Sequence, residues 1–125
     1  MTSTMFVRVV AWSLLIAIIV MTVVPASLRV VTGAPHNLEH ALVFLAMGSA
    51  FGLGYKLRLP VICAAAIVFC AGLELLQLAI PGRHARLSDF LIDAGAACFG
   101  MAIAWFARRL GEGSRTHEPG IVDTK

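Results

Sequence analysis

Seven of the polar side chains between residues 40 and 93 lie in or beside long apolar runs, and their types suit ligand binding or acid–base chemistry. An imidazole beside carboxylates can exchange protons near neutral pH. A guanidinium can hold a phosphate through paired hydrogen bonds. No phosphatase, transferase or protease motif surrounds these residues, so we assign no catalytic residue. The residues that we predict to bind a ligand are His40, Glu74, Gln77, Arg83, Arg86, Asp89 and Asp93.

Helical spacing places several of these side chains on shared faces. Glu74 and Gln77 are three residues apart, and Asp89 and Asp93 are four apart, so each pair projects from one face of a helix. Ser88 or Asp89 is predicted to cap the helix that carries Asp93, because the helix dipole favours a carboxylate there.

The composition indicates the environment of these helices. Of the 125 residues, 59% are hydrophobic and only 14% are charged, and the mean hydropathy is +0.88. Soluble domains carry about a quarter charged residues. The apolar residues also form long runs, without the spacing of a helix that is half exposed to water. We therefore predict an integral membrane protein with a single small domain.

Four apolar stretches are long enough to cross the hydrocarbon core, which takes about 20 helical residues. They are residues 9–28, 38–55, 59–80 and 90–107, and Asn37 is a plausible cap for the second. Because short connections make neighbouring helices antiparallel, we predict an all-α integral membrane protein, an up-down bundle of four transmembrane helices. This domain covers residues 1–110, and the polar residues 111–125 are predicted to form a disordered tail.

Lys and Arg residues are unevenly divided between the two ends of such a bundle. Seven lie on the side that holds both termini and three lie on the other. Since cytoplasmic loops are enriched in basic residues, we predict a multi-pass protein of the bacterial cytoplasmic (inner) membrane with both termini cytoplasmic. Alternatively, the first stretch and Val24-Pro25-Ala26 form a cleavable signal peptide, but this stretch is long for a signal core and its removal would place Lys56 and Arg58 outside.

Three ionisable side chains are predicted to share one depth below the outward surface. By helical rise, Glu74 lies about 9 Å from the end of the third helix and Asp93 about 5 Å from the start of the fourth. His40 lies near the start of the second. A charge at the bilayer centre costs about 2.5–3.5 kcal/mol, so these groups should converge on an outward-opening polar pocket. The alternative is that the carboxylates are buried struts that only fix the register of the helices.

Metal and thiol chemistry are disfavoured. His36, His40 and Glu74 form a conceivable zinc ligand set, but the chain has no HExxH motif. The three cysteines lie inside apolar runs without a CxxC partner, so we expect them to pack as small hydrophobes. We predict no metal and no cofactor.

Small residues are predicted to form packing stripes on two helices. Gly48 and Gly52 share one face of the second helix, while Ala96, Gly100 and Ala104 follow one another at four-residue steps in the fourth. Small residues let membrane helices approach closely. We favour packing within the chain over dimerisation, and the oligomeric state stays open.

Two patches of the sequence resemble the VanZ-like family of small bacterial membrane proteins. In NLEHALVFLAMG, His40 matches the histidine of the family signature. The second patch, ELLQLAIPGRHARLSDFLIDAGAACFG, is similar to the family pattern E-x-x-Q…P-G-R…D…G. Together the patches span most of residues 37–100. The positions that match the second pattern are Glu74, Gln77, Pro81, Arg83, Asp89, Asp93, Gly95 and Gly100. The resemblance implies a membrane protein of the cell envelope whose namesake is associated with resistance to the glycopeptide antibiotic teicoplanin, and it implies no reaction.

The residues favour a binding module over two alternatives. In the favoured hypothesis the pocket recognises an anionic lipid headgroup or a lipid-linked envelope precursor, with Arg83 holding a phosphate and Arg86 and His84 assisting. One alternative is a membrane enzyme that acts on a lipid or lipid phosphate through His40 and a carboxylate. The other is a structural accessory subunit. Whether the protein is an enzyme stays open, and no nucleic-acid partner is predicted.

Overall fold

The chain forms four α-helices in the computed structural model, which describes residues 3–24, 35–80 and 86–115, apart from the side chains of residues 36 and 113–115. All regular structure within these residues is α-helical. The helices are α1 (Ser3–Val23), α2 (His36–Gly54), α3 (Leu59–Leu78) and α4 (Leu87–Arg115). The all-α class is therefore confirmed.

Three of the helices are long and apolar enough to cross a membrane: α1, α3 and the segment Leu87–Glu112 of α4. Large apolar side chains on these helices face outward, for example Val68, which is 71% exposed, and Leu75, which is 68% exposed. Such exposure is expected of side chains that contact lipid. Helix α2 is less apolar, because its first turn is polar and it contains three glycines between residues 48 and 54.

The ends of two helices differ from the predicted ones. Helix α1 covers Ser3–Val23 instead of residues 9–28. Helix α4 continues to Arg115, so residues 111–115 are helical and do not begin a disordered tail. The preceding residues 107–110, Ala-Arg-Arg-Leu, favour a helix that continues into this stretch despite Gly111 and Gly113, and Arg108 is anchored to α2, as described below. Residues 116–125, the rest of the predicted tail, lie outside the described residues.

Helices α2 and α4 form the centre of the molecule, because they contact each other more extensively than any other pair. They run in the same direction: His40 contacts Asp93 at one end and Gly52 contacts Arg108 at the other. Helix α1 packs mainly on α2 and starts where α2 ends. Helix α3 packs mainly on α4 and ends near the residue that precedes α4. Consecutive helices therefore alternate in direction.

Three glycines bring the backbones of α2 and α4 into contact, and we call them the glycine seam: Gly48, Gly52 and Gly100. A Cβ atom at Gly48 would overlap the carbonyl group of Ala97, and one at Gly100 would overlap the backbone of α2. A Cβ atom at Gly52 would lie 2.7 Å from the Cβ of Ala104. The small residues of α2 thus serve packing within the chain, as predicted.

The apolar core lies against this seam and draws on all four helices. Ala97 is fully buried opposite Gly48, so this residue, and not the predicted Ala96, supplies the small side chain at that level of α4. Cys70 is 2% exposed and packs in the core as a small hydrophobe. The buried members of the core are Ile18, Phe44, Met47, Ile62, Ala66, Cys70, Leu73, Ala94, Ala97 and Met101.

The glycine seam makes a direct prediction about stability. Gly48→Ala should destabilise the protein by about 1–3 kcal/mol, because the added methyl group forces α2 and α4 apart. Gly72→Ala is the matched control: this glycine is also helical, and an added Cβ meets nothing within 4 Å. Thermal unfolding in detergent, followed by circular dichroism, should give a lower midpoint for Gly48→Ala and an unchanged or higher one for the control. Equal midpoints would contradict the close contact.

Two arginines from neighbouring helices close the C-terminal end of α2. Nη1 of Arg108 donates to the carbonyl oxygens of Gly52 at 2.8 Å and Tyr55 at 2.7 Å. Nε of Arg8 donates to the carbonyl oxygen of Gly54 at 2.8 Å. The last carbonyl groups of a helix have no partner within it, and the negative end of the helix dipole attracts cations. The two guanidinium groups therefore satisfy carbonyl groups at this end and join α1 and α4 to it.

Aromatic side chains surround the same end of α2. The indole Nε1 of Trp12 donates to the hydroxyl of Tyr55 at 2.8 Å, and the Trp12 ring meets Phe51 edge to face at 5.6 Å. The Arg8 guanidinium lies 4.8 Å from the centre of the Tyr55 ring. These contacts fix the start of α1 against the end of α2.

Arg108 and the adjacent Arg109 provide a matched pair for testing this closure. Arg108→Ala should destabilise the protein by about 1.5–3 kcal/mol, because it removes a charged donor from two backbone carbonyl groups. Arg109 is exposed and stacks on Trp105 at 4.6 Å, so Arg109→Ala should cost no more than about 1 kcal/mol. Both values are measurable by chemical denaturation in detergent. A cost for Arg109→Ala equal to that for Arg108→Ala would show that the contacts with α2 contribute little.

Candidate functional site

The opposite end of the α2–α4 pair holds a hydrogen-bonded histidine and aspartate. Nδ1 of His40 lies 3.1 Å from Oδ1 and 3.3 Å from Oδ2 of Asp93. The Asp93 side chain is 8% exposed and that of His40 is 20% exposed. The imidazole also stacks on the buried ring of Phe44, 6.3 Å away. The Asp93 carboxylate thus fixes the orientation of the ring, and part of the ring remains accessible.

Glu74 of α3 joins this end of the molecule through the residue before α4. Its carboxylate accepts a hydrogen bond from the backbone N–H of Arg86. The carbonyl group of Arg86 in turn accepts from Asp89 and Phe90 in the first turn of α4. Glu74 therefore ties the end of α3 to the start of α4.

Asp89 lies in the first turn of α4 and accepts a hydrogen bond from the Ser88 hydroxyl at 3.1 Å. The helix begins at Leu87, so neither Ser88 nor Asp89 occupies the cap position, and that prediction is wrong. The prediction for α2 is also wrong, because α2 begins at His36 and Asn37 lies inside its first turn. Asp89 nevertheless lies where the positive end of the helix dipole stabilises a carboxylate.

Gln77, like Asp93, is a buried polar residue of this region, whereas His40 is partly exposed. Gln77 is 8% exposed and lies one turn from Glu74 on the same face of α3. Gln77 therefore places an amide among the packed helices. Burying an amide is costly unless it forms hydrogen bonds.

Six of the seven residues predicted from the sequence thus occupy one end of the molecule, and we call these six the polar cluster: His40, Glu74, Gln77, Arg86, Asp89 and Asp93. Glu74 is close enough to Asp89, Asp93 and His40 for their charges to act on it. The seventh residue, Arg83, lies outside the described residues, as does His84.

One contact of the polar cluster is not evident from the sequence. Glu74 binds the backbone of Arg86, whereas the sequence suggests an interaction with an arginine guanidinium. A backbone N–H donor is present in almost every residue, so the residue types do not reveal this contact. The short break between α3 and α4 does indicate that backbone groups at these helix ends need partners outside the helices.

No group of three or more His, Cys, Asp or Glu residues is arranged to hold a metal ion in the part of the chain that the structure describes. The side chain of His36 lies outside that part, so the alternative ligand set of His36, His40 and Glu74 falls there too.

Comparisons of the chain with protein-family models, curated proteins and solved structures find no match. The VanZ-like resemblance thus stays a prediction from the two sequence patches.

The contact between His40 and Asp93 can be measured by a double-mutant cycle. Asp93→Ala should destabilise the protein by about 3 kcal/mol, because it leaves a partly buried imidazole without its carboxylate. In the double variant His40→Ala/Asp93→Ala, the loss should be smaller than the sum of the single losses by about 0.5–3 kcal/mol. The matched cycle of His40 with Asp89 should be additive within about 0.5 kcal/mol. Additive losses for His40 and Asp93, measured by denaturation in detergent, would show that the pair does not form.

Proposed function

We propose that all four helices cross the bacterial cytoplasmic membrane, with both termini in the cytoplasm and the polar cluster facing outward. Helix α2 has 19 residues, which corresponds to about 28 Å and approaches the thickness of the hydrocarbon core. The end opposite the polar cluster gathers Arg8, Lys56 and Arg108. Such enrichment in basic residues is typical of a cytoplasmic side.

At the outward end, the proposed function is recognition of an anionic lipid headgroup or a lipid-linked envelope precursor. The observation that carries this proposal is that each carboxylate of the polar cluster already interacts with a group of the protein. Asp93 accepts from His40, Glu74 from the backbone of Arg86, and Asp89 from Ser88 at the start of α4. The three carboxylates outnumber the cations of the polar cluster. Because each already has a partner within the protein, we assign them the role of holding the helices and the Arg86 backbone in place, and not that of contacting the ligand.

Arg86 is exposed and contributes a guanidinium cation to the polar cluster. Glu74 holds the backbone of this residue, so its side chain starts from a fixed point at the edge of the polar cluster. An arginine with a fixed backbone is well suited to bidentate binding of a phosphate, and Arg83, three residues earlier, is the second candidate for that role. His40, which is partly accessible, lies at the same end of the molecule.

The resemblance to the VanZ-like family supports an envelope context for this binding. The matching positions include His40, Glu74 and Asp93, which the structure brings to one end of the molecule. A link to glycopeptide resistance of the teicoplanin type belongs to the same proposal. Antibiotic sensitivity of a deletion strain, compared with the complemented strain, tests this link.

Binding of a lipid phosphate with very short acyl chains tests headgroup recognition. Dibutyryl phosphatidic acid, titrated calorimetrically into the purified protein, should bind at least about tenfold more weakly to Arg86→Ala, which loses a charge-assisted hydrogen bond. Arg83→Ala should weaken binding in the same direction. Arg109→Ala, at the other end of α4, is the matched control and should leave binding unchanged. If Arg83→Ala and Arg86→Ala both bind like the unmodified protein, headgroup recognition at this end is refuted.

A membrane enzyme acting on a lipid or lipid phosphate is the second candidate, and the His40–Asp93 contact favours it. An imidazole whose Nδ1 is held by a carboxylate is fixed in orientation and tautomer, as in the general bases of hydrolases. Release of phosphate or of a headgroup from the same lipid, followed over time, distinguishes the two functions. An enzyme would lose turnover in His40→Gln while binding persists, and a binding module would show no turnover in either protein.

A further inference from the structure

An apolar cavity of about 320 Å³ lies between the helices at the end opposite the polar cluster. Helices α1 and α3 contact each other little, and the space between them is bounded on the inside by α2 and α4. Aromatic and long apolar side chains dominate its wall: Trp12, Met47, Phe51, Tyr55, Phe69 and Met101.

The chemistry of the wall determines what can fill this cavity. Apolar cavities stay dry, because water finds no hydrogen-bonding partners in them. An empty cavity forfeits dispersion contacts of every side chain that lines it. The cavity is also partly open, with Trp12 at 50% and Leu57 at 51% exposure among its lining residues. In a membrane, the apolar material next to such an opening is the acyl chain of a lipid.

Basic residues flank one end of the cavity. The Arg8 guanidinium lies 4.8 Å from the ring centre of Tyr55, which lines the cavity. Lys56 and Arg58 are exposed on either side of Leu57, another lining residue, and the Lys56 ammonium lies 3.8 Å from Glu112. Basic residues at the membrane surface attract anionic lipids.

We propose that this cavity binds an acyl chain of an anionic phospholipid, with the lipid headgroup beside Lys56 and Arg58. This site is separate from the polar cluster, since the two lie at opposite ends of α2 and α4. The structure supplies both parts of the recognition: an apolar space of fitting chemistry and cations next to its mouth.

Fluorescence of Trp12 reports on this site directly. The chain has two tryptophans, so Trp105→Phe leaves Trp12 as the single one. The variant is reconstituted in phosphatidylcholine vesicles that contain a small fraction of lipid with brominated acyl chains, which quench tryptophan on contact. Lipids that merely surround the protein quench without regard to headgroup. At the cavity, brominated phosphatidylglycerol should bind at least about fivefold more tightly than brominated phosphatidylcholine. It should therefore quench Trp12 to the same extent at a lower fraction of brominated lipid.

Three further variants, made in the Trp105→Phe protein, locate the effect. Ala65→Phe fills the cavity and should abolish the preference for phosphatidylglycerol, whereas Ala64→Phe is the matched control. Both alanines are exposed on α3, but only Ala65 lines the cavity. Lys56→Gln/Arg58→Gln should reduce the preference while leaving quenching by phosphatidylcholine unchanged.

Three results would overturn the proposal. These are equal quenching by the two brominated lipids, a preference that survives Ala65→Phe, and a preference that survives Lys56→Gln/Arg58→Gln. Failure here is distinguishable from failure of headgroup recognition at the polar cluster, because Arg86→Ala should leave the Trp12 signal unchanged.

Discussion

The close approach of α2 and α4 is the constraint on which the other features depend. Along the glycine seam the two backbones meet without side chains between them. In a membrane, association of helices relies on such packing and on interhelical hydrogen bonds, because lipid and protein are equally apolar. With this contact in place, His40 is in register with Asp93 at one end, and Arg108 with the last carbonyl groups of α2 at the other.

Polar groups at the two ends find partners by different means, apart from the buried Nε of Arg108, which has none among the described residues. At one end, guanidinium groups bind backbone carbonyl groups of α2. At the other, carboxylates accept from an imidazole, a backbone N–H and a hydroxyl. Each contact connects different helices or anchors the first turn of α4, so polar pairing and helix arrangement stabilise each other. Because these polar groups pair with one another inside the molecule, the outward faces of α1, α3 and α4 are left to apolar side chains, which lipid can cover.

The sequence predicts the helices and much of the polar cluster, since depth along a helix follows from residue number. His40 and Asp93 were expected to meet for that reason, and they do. Details that depend on rotation or on the main chain were missed. Ala97, not Ala96, faces Gly48, because one residue turns a helix by about 100°. For Arg8 and Arg108 the sequence predicts only that basic residues gather on one side of the membrane. Their role as caps of α2 is not predictable, because the acceptors are backbone carbonyl groups, which every residue type has.

The position of α2 between its partners has a consequence for biogenesis. Helix α2, which is not among the three helices apolar enough to cross a membrane, is made early, whereas the donor and the acceptor that α4 brings to its two ends are made later. Until then, the nascent chain must hold an imidazole and two carbonyl groups without the partners that α4 supplies. In the proposed four-span arrangement, stable insertion of α2 is therefore coupled to synthesis of α4, and termination before α4 would leave α1 and α3 as the segments best able to remain in the bilayer on their own.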